Sequence, residues 1–163
     1  MFALAGCSDS KTLDQQAGIE AALTLMTDRL CGANIIHDLG YLESGLTASL
    51  AQLAICNEIL GWLDHFTQPV AVDDEVLGLD AIFEVGPGGQ FLDHPHTMKY
   101  FRERFYPELF DRHNHASWVA KGSLTLAERA ARKIDQILET HQADPLPPDI
   151  RAQLRAIIAD AGG

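Results

Sequence analysis

The sequence is poor in cysteine, in basic side chains and in long apolar runs, and each shortage excludes a class of protein. Its three cysteines, Cys7, Cys31 and Cys56, are odd in number and far apart, so they suit neither a disulfide framework nor a CxxC metal site and favour the reducing cytoplasm. Only 12 Lys and Arg oppose 23 Asp and Glu, and the net charge of -11 disfavours nucleic-acid binding. No stretch approaches the roughly 18 apolar residues of a membrane span.

The amino terminus resembles a lipoprotein leader only faintly. Small residues precede Cys7, but no basic residue comes before them, and the apolar run is about half the roughly 7 residues of the shortest functional leader. We therefore expect no leader. Hydrophobic residues make up 47% of the 163, which is enough for one packed core.

Two short apolar runs predict buried strands. Residues 2–7 show no helical period and end in turn-forming residues, and residues 33–38 form a second run that polar groups and Gly40 terminate. Between them, apolar positions recur at helical spacing over 13–30, and Ser10 or Thr12 is the expected cap. A strand, a helix and a strand in about 40 residues have the size of a parallel βαβ unit.

Every later periodic segment predicts a helix. Ser49 is expected to cap a helix over 50–66, and Asp73 or Asp74 one that reaches residue 85 and stops at the glycine-rich run 86–89. Further helices are expected over 96–110, 126–141 and 149–161. The prediction is an α/β fold in which residues 1–68 have the order β-α-β-α and residues 69–163 form a mainly α-helical tail.

Two parallel strands cannot form a stable sheet alone, because both faces need covering and both edges need partners. We expect the missing strands to come from residues before Met1, or else from another copy of the chain. The first option is the simpler, since a strand that begins at residue 2 with no preceding element is typical of a domain cut from a longer one.

Ligand groups in parallel α/β proteins lie at the carboxyl ends of strands, and this rule selects two polar clusters. The candidate residues are Ser8, Asp9, Lys11 and Gln15 after the first strand, and His37, Tyr41 and Glu43 after the second.

Each cluster also has a structural interpretation. The first cluster could be a helix cap with Asp9 and Lys11 paired to shape the loop. His37 could be a general base or a polar strand end, and a dyad with Asp38 is disfavoured because adjacent strand residues point to opposite faces. Glu43 could face a pocket or only solvent.

Three weaker motifs remain. His94 and His96, like His113 and His115, are spaced for chelation by an extended segment, but no third ligand is fixed and no metal site is assigned. The glycine-rich run 86–89 lacks the GxGxxG pattern and predicts a turn. Cys7, at a strand end, is a weak nucleophile candidate, whereas Cys31 and Cys56 lie in predicted helices and are expected to be buried.

Five segments carry a resemblance to a known family through their order and spacing. They are residues 5–11 (AGCSDSK), 14–18 (DQQAG), 40–47 (GYLESGLT), 84–92 (EVGPGGQFL) and 96–102 (HTMKYFR). Together they resemble the C-terminal third of the trimethylamine:corrinoid methyltransferase family, which includes glycine betaine methyltransferases that lack pyrrolysine. The resemblance extends to about Gly122.

The resemblance implies a (β/α)8 TIM barrel in which the two strands are the seventh and eighth. It also implies transfer of a methyl group from a methylated amine or betaine to the Co(I) corrinoid of a separate partner protein, with no cofactor bound tightly by this chain, which we expect to form a homo-oligomer. Glu43 and His37 become the expected catalytic residues, and Tyr41, Ser8, Asp9, Lys11 and Gln15 the expected substrate-binding residues. The alternative is a non-catalytic helical fragment or interaction module from a truncated or split gene.

Overall fold

The computed structural model describes residues 1–161, which form a mainly helical α/β structure with two small sheets. The strands are β1 (Phe2–Leu4), β2 (Ile35–His37), β3 (Tyr41–Leu42) and β4 (Thr47–Ala48). The helices are α1 (Gln15–Leu30), α2 (Leu50–Phe66), α3 (Asp74–Leu77), α4 (Leu79–Val85), α5 (Pro95–Tyr100), α6 (His115–Ala120), α7 (Leu126–Thr140) and α8 (Pro148–Ala161).

Strands β1 and β2 are parallel, as predicted, although both are shorter than the apolar runs that indicated them. Phe2 lies beside Ile35, and Leu4 lies beside His37. The first strand ends early because Gly6 has a φ of +79°, which breaks the extended path. In the second, Asp38 has a φ of +71° and turns the chain away in the same manner.

The two faces of this sheet differ. Ala5 is fully buried and belongs to the core, and Ile36 packs against that core on the same face. On the opposite face the side chains of Phe2, Leu4 and Ile35 are 69%, 54% and 59% exposed. The helices therefore cover one face only, and the other face and both sheet edges lack partners within residues 1–161.

Helix α1 begins two residues later than predicted, and its cap is neither Ser10 nor Thr12. The side chain of Asp14 accepts a hydrogen bond from the backbone N–H of Ala17, at 3.1 Å. The hydroxyl of Ser10 donates to the same Asp14 oxygen, at 2.9 Å. The predicted cap thus supports the actual one, and the hydrogen bonds to Ala17 and Ser10 lower the pKa of Asp14.

Helix α2 has the predicted bounds and the predicted Ser49 cap, whose hydroxyl accepts from the N–H of Gln52 at 3.2 Å. Its buried face carries Ile55, Cys56 and Ile59, which pack against α1 and α7. Leu53 and Trp62, although apolar, are 41% and 46% exposed.

Helices are the only regular secondary structure of the tail among its described residues, but two of the predicted helices were wrong. The helix predicted through residue 85 is capped by Asp73 and breaks into α3 and α4 at Gly78, whose φ is +62°. The helix predicted over 96–110 ends at Tyr100, and α6 was not predicted at all. Helices α7 and α8 match their predicted bounds to within one residue, and α7 starts with a capping box of Thr125 and Glu128.

An irregular segment over 101–114 is fixed to the helices by a clamp on Leu109. The buried side chain of Glu58 accepts from the N–H groups of Leu109 and Phe110, at 2.7 and 3.2 Å. Arg129 on α7 donates to the carbonyl oxygen of Leu109 at 2.6 Å. Both polar groups of the Leu109 backbone are therefore paired, and its side chain stays in the core.

None of the helices within residues 1–161 has the length and apolar character that a membrane crossing requires.

Candidate active site

The two polar clusters predicted from the sequence form one structure, because the loops that carry them are joined by backbone hydrogen bonds. The N–H of Ser8 donates to the carbonyl of Tyr41 at 3.0 Å, and the N–H of Ser44 donates to the carbonyl of Ser8 at 3.2 Å. The N–H of Glu43 donates to the carbonyl of Ser10 at 2.9 Å. Both loops follow the carboxyl ends of β1 and β2, as the strand-end rule predicts.

Glu20 on α1 organises the first loop, a role that no pattern in the sequence indicated. One of its carboxylate oxygens accepts from the Ser8 hydroxyl at 2.6 Å and from the N–H of Asp9 at 2.9 Å. The hydroxyl of Ser8 in turn accepts from the N–H of Ser10 at 2.9 Å. These donors lower the pKa of Glu20, with the Ser8 hydroxyl the largest cause and Gln16 the next.

Asp9 is tied to the second loop and not to the lysine expected to pair with it. The hydroxyl of Ser44 donates to the Asp9 carboxylate at 2.6 Å. The ammonium of Lys11 bonds instead to the backbone carbonyl of Asp9, at 2.9 Å. Asp9 is exposed, so this carboxylate both bridges the loops and faces the strand-end surface.

Glu43 lies in a short 3-10 turn with an unusual backbone. Glu43 and Ser44 have φ values of +52° and +54°, and Gly45 follows at +89°. Consecutive left-handed non-glycine residues are costly and cluster at functional sites. The Glu43 carboxylate accepts a hydrogen bond from the hydroxyl of Thr47 at 3.1 Å, and this bond orients the Glu43 side chain.

His37 and Asp38 are in contact, which corrects the expectation that they would point apart. Nδ1 of His37 lies 2.8 Å from Oδ1 of Asp38. The period-two rule fails here because Asp38 leaves the strand at φ +71°, and its side chain swings back to the imidazole. The ring of Phe2 stacks on His37 with a centroid separation of 4.5 Å.

Tyr41 and Gln15 have different positions relative to the joined loops. Tyr41 is 37% exposed and its backbone is bound to Ser8, so its ring lies at the strand-end surface. Gln15 instead lines an apolar groove of about 770 Å³ between α1, α2 and α7, with Ile19, Trp62 and Leu126. Among residues 1–161 no hydrogen bond connects Gln15 to the joined loops, so the structure does not bring it together with the other candidates.

The weaker motifs contribute little to this site. Burial raises the pKa of the Cys7 thiol, which disfavours a nucleophilic thiolate. Cys56 is buried, as predicted, but Cys31 follows the last residue of α1 and is exposed, so that prediction was wrong.

The paired histidines of the tail do not converge. His94 contacts Glu84, whereas His96 contacts the carbonyl oxygen of Glu75. No group of three potential metal ligands occurs in the described part of the chain.

The joined loops carry a surplus of negative charge. Residues 7–14 and 37–45 contain four carboxylates against one lysine, namely Asp9, Asp14, Asp38, Glu43 and Lys11. An anionic surface with an exposed tyrosine attracts and orients a cation. The arrangement is that of an α/β protein that presents polar groups at the carboxyl ends of parallel strands.

Comparison with known proteins narrows this class to one family. The chain matches the family described as Trimethylamine methyltransferase (MTTB) over residues 1–161 and belongs to it. It is 39% identical over 159 residues to the glycine betaine methyltransferase of Desulfitobacterium hafniense (strain Y51), covering 96% of this chain and 33% of that protein. It is 38% identical over 154 residues to the trimethylamine methyltransferase MttB of Methanosarcina barkeri, covering 94% and 31%.

A third relative is the MttB of Desulfitobacterium hafniense (strain DSM 10664 / DCB-2), with 36% identity over 155 residues, which cover 95% of this chain and 31% of that protein. The chain thus spans about a third of the length of the curated relatives it matches.

Proposed function

We propose that this chain is the C-terminal part of a corrinoid-dependent methyltransferase that moves a methyl group from a methylated amine or betaine to the Co(I) corrinoid of a separate partner protein. Membership of a family whose relatives are named as trimethylamine and glycine betaine methyltransferases supports the reaction type. The observation that carries the proposal is the joining of two polar loops at the carboxyl ends of parallel strands, with Glu43, Tyr41 and His37 on one edge.

The proposed architecture is a TIM barrel. Residues 1–68 would supply its last two βα units, and residues 69–163 a helical extension. Two observations support it: β1 and β2 are parallel with helices on one face, and the opposite face exposes Phe2, Leu4 and Ile35. Barrel strands have helices outside and neighbouring strands on both edges, so six more strands would cover what is exposed here.

His37 would then point into the barrel. The register places His37 beside Leu4, on the face away from the helices. In barrels that face is the interior, and residues at strand ends on it contact the substrate. We assign His37 to catalysis in this sense, and Glu43 because it lies in the loop that follows β2.

The remaining candidates, together with Glu43, would bind the methyl donor. A quaternary ammonium offers no proton, so it is held by carboxylates and an aromatic face, which Asp9, Glu43 and Tyr41 provide. Ser8 and Lys11 would act through the loop that they hold in place. Gln15 is the least supported of the set, because it lines the groove between the helices.

The corrinoid would be carried by the partner protein and would accept the methyl group. We place no tightly bound cofactor on this chain. The open strand-end surface is where the partner would approach, because methyl transfer needs the donor and the cobalt in line. We place the protein in the cytoplasm.

We also propose a homo-oligomer. A stripe on α8, namely Ile150, Leu154, Ile157 and Ile158, is 39–70% exposed in a single copy. Sedimentation of the chain, and of a variant with Leu154→Glu and Ile158→Glu, would show whether α8 joins copies; identical masses would contradict this use of the stripe.

A chimera tests the reaction. The chain would replace the matching third of the Desulfitobacterium hafniense glycine betaine methyltransferase, to which it is 39% identical. Turnover of glycine betaine or trimethylamine would be followed as the absorbance change of the Co(I) corrinoid in the partner protein. We expect activity, and a loss of about 10- to 100-fold in kcat/KM for Glu43→Gln, because the attraction between a carboxylate and a cation about 4 Å away lies between about 1 kcal/mol in water and about 4 kcal/mol near a protein surface.

Glu139→Gln is the matched control, since it makes the same chemical change at an exposed position near the end of α7. It should leave kcat/KM unchanged. A folded chimera that is inactive on both donors would favour the alternative, a non-catalytic interaction module. Equal losses for Glu43→Gln and Glu139→Gln would contradict the role given to Glu43.

A further inference from the structure

The contact between His37 and Asp38 determines which imidazole nitrogen carries the proton. A carboxylate oxygen accepts hydrogen bonds and cannot donate them, so at 2.8 Å the Nδ1 atom of His37 is the donor to Oδ1 of Asp38. In the neutral ring the other nitrogen, Nε2, is then without a proton and acts as an acceptor.

The backbone conformation of Asp38 makes this contact possible. Its φ of +71° is rare for a residue that carries a side chain, and in a regular strand its carboxylate would lie on the face opposite His37. The left-handed conformation returns the carboxylate to the face of its neighbour. Such strain persists where the surrounding structure fixes it and is frequent at functional sites.

Phe2 fixes the plane of the ring. Its side chain stacks on the imidazole at 4.5 Å with an interplanar angle of 27°. Because β1 and β2 are parallel and in register, Phe2 and His37 share the face that the helices leave uncovered. The ring is thus held at one nitrogen and on one face.

We propose that Asp38 is a positioning residue for His37: it holds the imidazole with the proton on Nδ1 and presents Nε2, as a hydrogen-bond acceptor, at the end of β2. The role rests on the proposed function, since it assumes that His37 acts at the strand-end site. A ligand N–H or O–H group can donate to Nε2, which a protonated tertiary amine satisfies and a quaternary ammonium does not.

The test is nitrogen-15 NMR of the full chain labelled at histidine, with the rings neutral. We expect a pyrrole-type shift for Nδ1 of His37 and a pyridine-type shift for Nε2. Asp38→Gly removes the acceptor and tolerates the positive φ, so the proton should move largely to Nε2. Asp38→Asn keeps the left-handed backbone, but its amide can donate as well as accept, and a mixture of both tautomers is expected.

The chain offers a matched reference. His113 also places Nδ1 near an aspartate, at 3.0 Å from Oδ1 of Asp111, far along the sequence from the sheet. The His113 signals should not change in the Asp38 variants, which shows that the tail around His113 is intact. Asp111→Ala should leave His37 unchanged, and at His113 the ammonium of Lys121, 2.6 Å from Nε2, should keep the proton on Nδ1.

A wild-type His37 with its proton on Nε2 would overturn the proposal without any variant. So would an Asp38→Gly protein in which Nδ1 keeps the proton while the His113 signals are native. Neither result depends on a methyl donor or a corrinoid protein. A failed chimera assay and a failed tautomer experiment are therefore separate outcomes.

Discussion

Replacing Glu58 should show that a buried polar contact contributes more to the free energy of unfolding than a surface one. Its side chain is 8% exposed and accepts two backbone N–H groups from the irregular segment 101–114. No regular secondary structure pairs those N–H groups, so Glu58→Ala leaves them without a partner. We expect the segment to loosen from α2.

The magnitude follows from the burial of each donor. The bond to Leu109 is buried, and a buried donor without a partner costs about 1–3 kcal/mol. The bond to Phe110 is partly buried and adds less, because water replaces some of the lost contact. We expect Glu58→Ala to lower the free energy of unfolding by about 2–4 kcal/mol, and Glu58→Gln by about 1 kcal/mol because it keeps an acceptor of similar shape.

Glu108 provides the control from the same segment. Its carboxylate pairs with Lys133 at 2.7 Å, but the two side chains are 69% and 39% exposed. Exposed pairs contribute about 0–1 kcal/mol, so Glu108→Ala should change stability little. Denaturant titration followed by circular dichroism gives the free energies, and the fluorescence of Trp62, whose ring lies against Phe105 and Phe110, reports on the segment. Equal destabilisation by Glu58→Ala and Glu108→Ala would refute the reasoning.

Three further predictions concern backbone fit, thiol access and acid sensitivity. Gly40→Ala should destabilise by about 1–3 kcal/mol, because φ is +84° and a Cβ would lie 2.8 Å from that of Leu53. Gly18→Ala, with open space around it in α1, should stabilise by about 0.5–1 kcal/mol in the same titration. Burial raises the pKa of the Cys56 thiol, so iodoacetamide should label exposed Cys31 well before Cys56 in peptide mass spectra; equal rates would disprove this. The lowered pKa values of Asp14 and Glu20 mean that the folded state binds fewer protons there than the unfolded state, so their stabilising effect is present at neutral pH and lost as the pH falls through the lowered values. Asp14→Asn should flatten that acid limb in denaturation midpoints measured against pH.

The elements with strong local signals were predicted well from the sequence. Helix α2 has both a serine cap and a glycine-free first half, and its predicted bounds were correct. The predicted start of α7 at residue 126 was also correct, and the structure shows that a capping box of Thr125 and Glu128 forms there. Parallel pairing of β1 and β2 followed from the helix between them.

The errors arose where tertiary contacts override local pattern. The aromatic residues after Tyr100 have helical spacing, but Glu58 and Arg129 bind the backbone of Leu109 in a conformation that is not helical. Asp14 displaced Ser10 as the cap because the Ser10 hydroxyl is itself bound to Asp14.

The sequence predicted where the candidate residues lie relative to the strand ends, but not the hydrogen bonds that join the two loops. The strand-end rule selected both loops. It could not show that Glu20, eleven residues beyond Asp9, would bind the first loop, nor that Ser44 would bridge to Asp9. The contact of His37 with Asp38 depends on the left-handed backbone of Asp38, and no local pattern in the sequence predicts that conformation.

The uncovered face of β1 and β2 has a consequence for how such a chain behaves in a cell. This face and the two sheet edges form a template that other extended polypeptides can join, because the edges carry backbone groups without partners and the face exposes Phe2, Leu4 and Ile35. If these strands are the last to be synthesised in a longer protein, the proposed barrel cannot close until translation has finished. The interval before closure is when chaperones would be needed most, and expression at low temperature should raise the recovered yield of monomeric material.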